Sequence, residues 1–301
     1  MAELRDCIIV GSGPAGLSAS IYAKRAGLDV AVIEKAPMSG GQVLNTYEVD
    51  NYLGMPGING FDMGMLFRAH ADKLNVPFLE DEIREISRTE DGFLLSGNSQ
   101  YAARTVILAM GATHARLSVP GEEKRGVSYC ATCDGAFYRK KTAAVVGGGD
   151  VALEDAIYLA ALCEKVYVIH RRGEFRGAKI LQDKLRALPN VEFLMDTVVE
   201  SIEGEDRVEG LTCKNIVSGE TVSVPVHGVF VAVGIHPAAE AAAKLLPLEG
   251  GYLIAGEDCR TEVPGLYAAG DIRKKPLRQI ITAVADGANA AASAAEDLKR
   301  R

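Results

Sequence analysis

Apolar residues are grouped twice along this chain, each time in the same order: an apolar run, a glycine-rich turn, a stretch with helical spacing and a second apolar run. Strand, helix and strand in this order are typical of a parallel α/β sheet. The chain is therefore predicted to contain two nucleotide-binding units. The predicted elements are a strand at 7–10, a helix at 16–25 and a strand at 28–33, then a strand at 143–146, a helix from Val151 to about Cys163 and a strand at 166–169.

The two groups form an internal repeat. Gly11 and Gly147 lie 136 positions apart, and the same interval relates Ile33-Glu34 to Ile169-His170. Two landmarks that keep one interval indicate two copies of the same architectural unit.

The rest of the pattern predicts how the units are joined. Residues 83–110 contain short β-rich pieces, and a buried strand is expected over 101–111. The chain is expected to cross between domains at Pro120-Gly121 and again near 234–237. An alanine-rich segment at 279–298 predicts a final helix.

Composition narrows the class of protein. The 301 residues fit two domains of common size. The formal net charge is −7 and the pI is near 5.4, so no nucleic-acid partner is expected. No apolar run reaches the roughly 18 residues of a membrane span, and no secretory leader is apparent. A cytoplasmic location is therefore expected, and structural disulfides are rare there.

The first glycine-rich turn has the spacing of a dinucleotide site. Gly11, Gly13 and Gly16, with Pro14-Ala15 between the last two, follow a predicted strand and open a predicted helix. Such glycines let a pyrophosphate approach the helix N-terminus. Glu34 can accept hydrogen bonds from both hydroxyls of a ribose and would repel a 2′-phosphate. This unit is predicted to bind FAD or NAD rather than NADP; the alternative is a structural turn with a surface glutamate.

The second turn, Gly147-Gly148-Gly149-Asp150, is a variant of the same spacing. His170 stands where the first unit has its glutamate, Arg171 and Arg172 follow it, and Arg176 is nearby. Replacing a carboxylate with cations favours a 2′-phosphate, which suits guanidinium groups. The repeat therefore predicts an NADPH site; the alternative is a solvated basic turn.

Among the six cysteines, only Cys130 and Cys133 form a CxxC pair. A tetrahedral zinc site needs four ligands, and neither a second pair nor suitably spaced histidines are present, so no metal is predicted. In a chain with two dinucleotide folds, a redox pair that reacts by thiol–disulfide exchange is favoured. Asp134 follows the pair directly and can move the proton as acid or base. The alternative for Asp134 is a turn residue.

A further candidate site lies near the C-terminus. Gly270-Asp271 ends an apolar run, and ligands of α/β folds bind at such strand ends. Asp271 can there hydrogen-bond the polyol of a flavin. Arg278-Gln279 opens the last predicted helix, whose N–H groups can face the flavin ring.

The segments GSGPAG, CATCDG, GGGD, HRR, AAGD and RQ, taken in this order, resemble the low-molecular-weight thioredoxin reductases of bacteria. The resemblance covers essentially the whole chain. It implies an α/β fold of two Rossmann-like dinucleotide-binding domains, the second inserted in the first. The FAD-binding domain would be residues 1–113 and 238–301, and the NADPH-binding domain with the redox pair would be residues 114–237.

The resemblance also implies the activity. NADPH would reduce FAD, FAD would reduce the Cys130–Cys133 disulfide, and the dithiol would reduce thioredoxin or a similar small dithiol protein. It further implies a homodimer, a rotating NADPH domain, and flavin contacts from Gly41, Gln42 and Asn51.

Two departures from the family and three rival functions remain. Val151 stands where the family has serine, and Ala238-Ala239 stand where it often has Asn-Thr. A flavin-dependent ferredoxin–NADP reductase would not need the CxxC pair. A flavin-dependent dithiol oxidase would not need the cations that follow Ile169. A redox-sensing binding module would not need Asp134 beside the pair.

Overall fold

The structure, a computed structural model, describes residues 3–46 and 49–300. The chain forms two compact units, one of Met1–Thr113 with His236–Arg301 and the other of His114–Ile235. The predicted domain crossing at Pro120-Gly121 is wrong, because this turn lies inside the second unit. There the backbone N–H of Ile202 donates to the Pro120 carbonyl at 2.9 Å, which ties the turn to a strand.

The strands are mostly short. In chain order they are β1 (Leu4–Val10), β2 (Val30–Glu34), β3 (Phe78–Glu80), β4 (Glu85–Arg88), β5 (Phe93–Ser96), β6 (Gln100–Leu108), β7 (Ala112–His114), β8 (Val127–Ser128), β9 (Thr142–Gly147), β10 (Lys165–Ile169), β11 (Val191–Leu194), β12 (Thr197–Glu203), β13 (Gly210–Asn215), β14 (Thr221–Pro225), β15 (Gly228–Ala232), β16 (Ile235–Pro237), β17 (Leu248–Glu249), β18 (Tyr252–Leu253) and β19 (Leu266–Ala268).

The α-helices differ widely in length. They are α1 (Pro14–Arg25), α2 (Gly60–Lys73), α3 (Ala131–Asp134), α4 (Asp150–Ala160), α5 (Lys179–Arg186) and α6 (Ile280–Lys299). Within residues 3–46 and 49–300, none of them combines the length and the apolar character that crossing a membrane requires.

The sheet of the first unit has the order β3-β2-β1-β6-β5-β4, and β19 also pairs with β6. The central strands run parallel, while β4, β5 and β6 pair antiparallel. Residues 7–10, 30–33 and 106–108 are buried, as in strands covered on both faces. The carboxyl ends of β1, β2 and β19 share one edge, where α/β folds bind ligands.

Helix α6 packs directly on α1. A Cβ atom at Gly287 would lie 2.1 Å from the carbonyl oxygen of Ala15, so glycine is required for this approach. Ala19 and Ala290 are completely buried nearby. Small residues thus hold the C-terminal helix against the helix that follows the first glycine turn.

The second unit contains a five-stranded parallel sheet, β11-β10-β9-β15-β8, and a separate antiparallel sheet, β12-β13-β14. One face of the parallel sheet packs on α4, where Val145 and Phe230 of the sheet and Ala156 of the helix are completely buried. The fold class, an α/β fold with two Rossmann-like units, is confirmed.

Two predicted helices have shifted ends. Helix α1 begins at Pro14, two residues before the expected start, because proline suits the first helical turn. Helix α4 ends at Ala160 rather than near Cys163, since the backbone N–H groups of Leu162 and Cys163 both turn back to the Leu159 carbonyl.

Candidate nucleotide sites and redox pair

The first glycine turn packs too tightly for side chains at two of its positions. Gly11 has a φ of +101°, and a Cβ atom there would lie 2.4 Å from the Ala109 carbonyl oxygen. A Cβ atom at Gly16 would lie 1.8 Å from the Gly11 carbonyl oxygen. Gly13 caps α1 without any side-chain cap, so the start of this helix can bind an anion.

Glu34 ends β2 and is already engaged by the glycine turn. Its Oε2 accepts hydrogen bonds from the Ser12 backbone N–H at 2.7 Å and from the Ser12 hydroxyl at 2.9 Å. Its Oε1 accepts from the Ala36 N–H at 3.0 Å. Sequence reasoning missed Ser12, although this residue stands inside the glycine motif. Glu34 therefore orders the turn and keeps lone pairs that can accept further hydrogen bonds.

A second loop reaches the same turn. A Cβ atom at Gly41 would lie 3.2 Å from the Gly13 Cα atom, so these two glycines face each other. The side-chain amide of Gln42 donates to the Ala112 carbonyl. The side-chain amide of Asn51 donates to the Oε1 of Gln279 at 2.9 Å. The structure thus brings Asn51 to the start of α6, where Gln279 is the N-cap.

Asp271 and Arg278 each bury a polar atom that has no hydrogen-bond partner within the described residues: Oδ1 of Asp271 and Nε of Arg278. Burial raises the pKa of Asp271, while the cations of Lys275 and Arg278 oppose that rise. The Arg278 guanidinium lies 4.0 Å from the ring centroid of Tyr252. A buried acceptor and a buried donor without protein partners are what a ligand with hydroxyls and phosphates would satisfy.

The second glycine turn repeats this arrangement in the other unit. A Cβ atom at Gly147 would lie 2.4 Å from the Ala232 carbonyl oxygen. Gly149 caps α4 without a side-chain cap, and no atom within 4 Å would meet a Cβ there. The Oδ1 of Asp150 accepts from the Ala178 N–H at 2.7 Å, so this side chain holds the end of the loop that precedes α5.

His170 is not part of a cationic cluster, contrary to the sequence prediction. Its side chain is 5% exposed and stacks on Phe175, with ring centroids 5.5 Å apart. Burial lowers the pKa of His170, so the ring is neutral near pH 7. A Cβ atom at Gly148 would lie 2.3 Å from its Cε1 atom. The neutral ring therefore forms the floor of the glycine turn.

The positive charge of this site comes from arginines. Arg171, Arg172 and Arg176 are exposed, and no carboxylate oxygen of the described residues forms an ion pair with them. The Arg176 backbone N–H donates to the Gly148 carbonyl at 2.8 Å, which brings this residue to the turn. An anion at the turn would meet guanidinium groups that are not already neutralised.

Cys130 and Cys133 form a disulfide at the start of α3, with Cα atoms 5.3 Å apart. Both residues are partly exposed. The remaining cysteines are buried, and burial raises their pKa values, to about 12 for Cys7 and Cys259. Thiolate chemistry is therefore confined to the pair.

Asp134 ends α3 and is held by a residue that sequence reasoning missed. The hydroxyl of Ser128 donates to Asp134 Oδ2 at 2.6 Å. Burial raises the pKa of Asp134, and the hydrogen bond from Ser128 opposes that rise. Only the position of Ser128, two residues before Cys130, could have drawn attention to it. Among the described residues, no group of three or more His, Cys, Asp or Glu side chains is arranged to hold a metal ion.

Comparisons with known proteins agree over nearly the full length. The chain is 40% identical over 306 residues to a thioredoxin reductase of Listeria monocytogenes, which covers 99% of this chain and 96% of that protein. It is 40% identical over 297 residues to a thioredoxin reductase of Bacillus subtilis, with coverages of 97% and 94%. The crystal structure of thioredoxin reductase from Streptococcus pyogenes has a TM-score of 0.96 and 41% identity, and covers 100% of both chains.

The sequence also matches a described protein family over residues 5–287. By this match and the relatives above, the chain belongs to the pyridine nucleotide-disulphide oxidoreductase family.

Proposed function

We propose that this chain is an NADPH-dependent thioredoxin-disulfide reductase. The observation that carries the proposal is the partly exposed Cys130–Cys133 disulfide, in the same unit as a glycine turn bordered by exposed arginines. Electron transfer from a nicotinamide to a disulfide requires a nucleotide site and a reducible disulfide. Full-length relatives that are thioredoxin reductases support the same reaction.

FAD is assigned to the first unit, which contains the proposed FAD-binding domain of residues 1–113 and 238–301. The open N-terminus of α1 would bind its pyrophosphate. The unpaired Oδ1 of Asp271 requires a donor, and the unpaired Nε of Arg278 requires an acceptor. The hydroxyls and phosphates of a flavin nucleotide supply both kinds of group. When bound, FAD supplies the two-electron chemistry that links a nicotinamide to a disulfide.

NADPH is assigned to the second unit, which lies within the proposed NADPH-binding domain of residues 114–237. The N-terminus of α4 at Gly149 would bind the pyrophosphate, and Arg171, Arg172 and Arg176 would bind the 2′-phosphate. The neutral ring of His170 shapes the turn beneath it. The arginines make NADPH the preferred donor over NADH.

Thiol–disulfide exchange then transfers the electrons to the partner protein. In the reduced pair, one cysteine releases its proton to solvent, and its thiolate attacks a sulfur of the partner disulfide; the partner S–S bond breaks and a mixed disulfide forms. Asp134 gives a proton to the leaving thiolate. The second cysteine returns a proton to Asp134 and attacks the mixed disulfide. The second partner thiolate leaves and takes its proton from solvent, so the pair is oxidised and Asp134 is unchanged.

The proposed partner is thioredoxin or a similar small dithiol protein. We also propose a homodimer in the cytoplasm, as the resemblance to the thioredoxin reductases implies. Sedimentation analysis of the purified protein tests the dimer directly.

The activity is tested by anaerobic addition of NADPH to the flavin-loaded protein, followed by a thiol count and by addition of oxidised thioredoxin. Loss of flavin absorbance, two new thiols per chain and NADPH-driven reduction of thioredoxin are expected. Flavin reduction without new thiols would instead indicate a ferredoxin–NADP reductase activity. Oxygen consumption driven by a dithiol, without use of NADPH, would indicate a dithiol oxidase.

A further inference from the structure

Ser128 occupies a fixed position beside the redox pair. It lies on β8, the edge strand of the parallel sheet, where its partner on β15 is Phe230. Its side chain is 4% exposed. Ser128 is thus anchored to the sheet, while Cys130 caps the short helix α3, which begins at Ala131 and contains Cys133 and Asp134.

The Ser128 hydroxyl is the centre of three contacts. It lies 2.6 Å from Asp134 Oδ2 and 3.3 Å from the Cys130 carbonyl oxygen, and it accepts a hydrogen bond from the Cys130 backbone N–H at 3.1 Å. A serine hydroxyl has one proton to donate. Because two acceptors lie within reach, this proton can bind either the Asp134 carboxylate or the Cys130 carbonyl.

The charge on Asp134 determines which of the two acceptors binds the Ser128 proton. A charged carboxylate only accepts, so it takes the Ser128 proton in a short charge-assisted bond. A neutral carboxyl group carries its own proton and can donate it to the Ser128 oxygen. The Ser128 proton is then free to turn toward the Cys130 carbonyl, which also accepts from the N–H groups of Cys133 and Asp134 at 3.2 and 3.1 Å.

We propose that Ser128 is a positioning residue for the redox pair, whose single hydroxyl proton binds Asp134 when that group is charged and the Cys130 carbonyl when it is neutral. Ser128 thereby stabilises the charged form of Asp134 and moves one hydrogen bond onto the CxxC turn when Asp134 is reloaded with a proton. The inference rests on the proposed function, because it concerns the acid of the same exchange reaction.

Other titratable groups lie on the elements next to Asp134. Tyr138 lies on the following turn, and its pKa is raised to about 12, first by burial and then by the charge of Asp134. Helix α4 packs against α3 and carries Tyr158, whose ring is the nearest neighbour of Gly135, and Asp155, whose pKa burial raises to about 7. The buried Cys163 also contributes, after burial and Asp134, to the raised pKa of Tyr138. Asp155 titrates near neutral pH, so it requires its own control.

The test uses holoenzyme reduced with dithiothreitol and desalted, which makes it independent of NADPH and of any protein partner. The exchange rate is measured against pH with two small disulfides. Bis(2-hydroxyethyl) disulfide releases a weakly acidic thiol that needs a proton. Dithiobis(nitrobenzoate) releases a strongly acidic thiol that does not, so it reports the attacking thiolate alone.

In Ser128→Ala, Asp134 loses a hydrogen bond to its charged form and should stay protonated to higher pH. The alkaline limb of the profile with bis(2-hydroxyethyl) disulfide should move up by about one pH unit, the shift expected on losing one hydrogen bond to a charged group. The profile with dithiobis(nitrobenzoate) should not move. Ser128→Thr keeps the hydroxyl and should restore the wild-type profile.

Asp134→Asn should abolish the difference between the two disulfides, and Asp155→Asn should leave that difference unchanged. An unshifted profile in Ser128→Ala, or the same shift in Ser128→Thr as in Ser128→Ala, would overturn the proposal. Failure of NADPH-driven thioredoxin reduction would count against the proposed function alone, since the exchange assay needs neither component.

Discussion

The carboxylate of Asp286 on α6 accepts a hydrogen bond from the backbone N–H of Gly270 at 2.9 Å. Gly270 has a φ of +80°, and its turn carries Asp271. Asp286 is 3% exposed and also accepts from Arg273 at 2.8 Å and from Lys275 at 2.9 Å. The last helix therefore holds in place the turn that presents Asp271 to the proposed flavin.

Asp286→Asn should lower both the free energy of unfolding and the affinity for FAD. Two buried cations lose their counter-charge, and breaking a buried ion pair costs about 3–5 kcal/mol. The measurements are chemical denaturation of the apoprotein and FAD titration of its folded form.

Asp297→Asn is the matched control for that variant. Asp297 lies on the same helix and binds the Tyr267 hydroxyl at 2.7 Å and Arg260 at 3.0 Å, away from the Gly270 turn. It should destabilise the fold and leave the affinity for FAD unchanged. Equal loss of FAD binding in both variants would show that Asp286 supports only the helix.

Cys130→Ser and Cys133→Ser should each abolish NADPH-driven reduction of a protein disulfide and leave flavin reduction by NADPH intact. In the proposed reaction, the flavin would be reduced before thiol exchange and without the two cysteines. Stopped-flow absorbance measures the first step, and a coupled thioredoxin assay measures the whole reaction. Cys163→Ser, at a buried thiol outside the pair, should retain both. Disulfide reductase activity in either pair variant would mean that electrons leave by another route.

Arg171→Ala combined with Arg172→Ala should raise the KM for NADPH at least tenfold and leave the KM for NADH nearly unchanged. Each arginine offers charged hydrogen bonds worth about 1.5–3 kcal/mol to a 2′-phosphate that NADH lacks. Steady-state kinetics with both nucleotides measures the effect.

The control for the arginine pair is Lys179→Ala with Lys184→Ala, which removes two exposed cations from α5. Its preference for NADPH should equal that of the wild type. Equal use of NADH and NADPH by the wild-type enzyme would show that the arginine cluster is only a solvated turn.

Asp155→Asn should stabilise the protein more at pH 8 than at pH 5. Burial and the neighbouring charge of Glu154 raise the pKa of Asp155 to about 7. Between the ordinary aspartate pKa near 3.9 and pH 7, the folded state binds a proton that the unfolded state lacks. Stability therefore falls as pH rises through this window, and the variant removes that loss.

Thermal unfolding at both pH values measures the Asp155 effect. Glu164→Gln removes an exposed carboxylate from the same unit and should change the Tm little at either pH. A gain in Asp155→Asn that is equal at pH 5 and pH 8 would contradict the prediction.

Local patterns predicted the elements and the glycine turns because their causes are local. At Gly16, for example, a side chain is excluded by the carbonyl oxygen of Gly11 in the same turn. The order of apolar runs predicted the α/β fold for the same reason. The approaches of Gly11 to Ala109 and of Gly147 to Ala232 join distant segments instead.

Side-chain contacts between one element and the next were not predictable from those patterns. His170 appeared cationic beside two arginines, yet packing against Phe175 and Gly148 buries it. The bond between Asp286 and Gly270 joins a helix to a turn ten residues before its start, and no pattern in the sequence pairs these two positions. Ser128 meets Asp134 only because a sheet edge is followed directly by a short helix. Each of these features depends on how neighbouring elements pack on one another, which a linear pattern does not encode.

The other four cysteines, all of them in the described part of the chain, are buried, so thiol reagents modify the folded protein selectively. An alkylating probe added to the freshly reduced, folded molecule reaches only the CxxC pair. In a variant that keeps one cysteine of that pair, the remaining thiol can capture a partner as a stable mixed disulfide without competition from the core. Such a variant can thus trap the physiological partner covalently from a mixture without replacement of the buried cysteines.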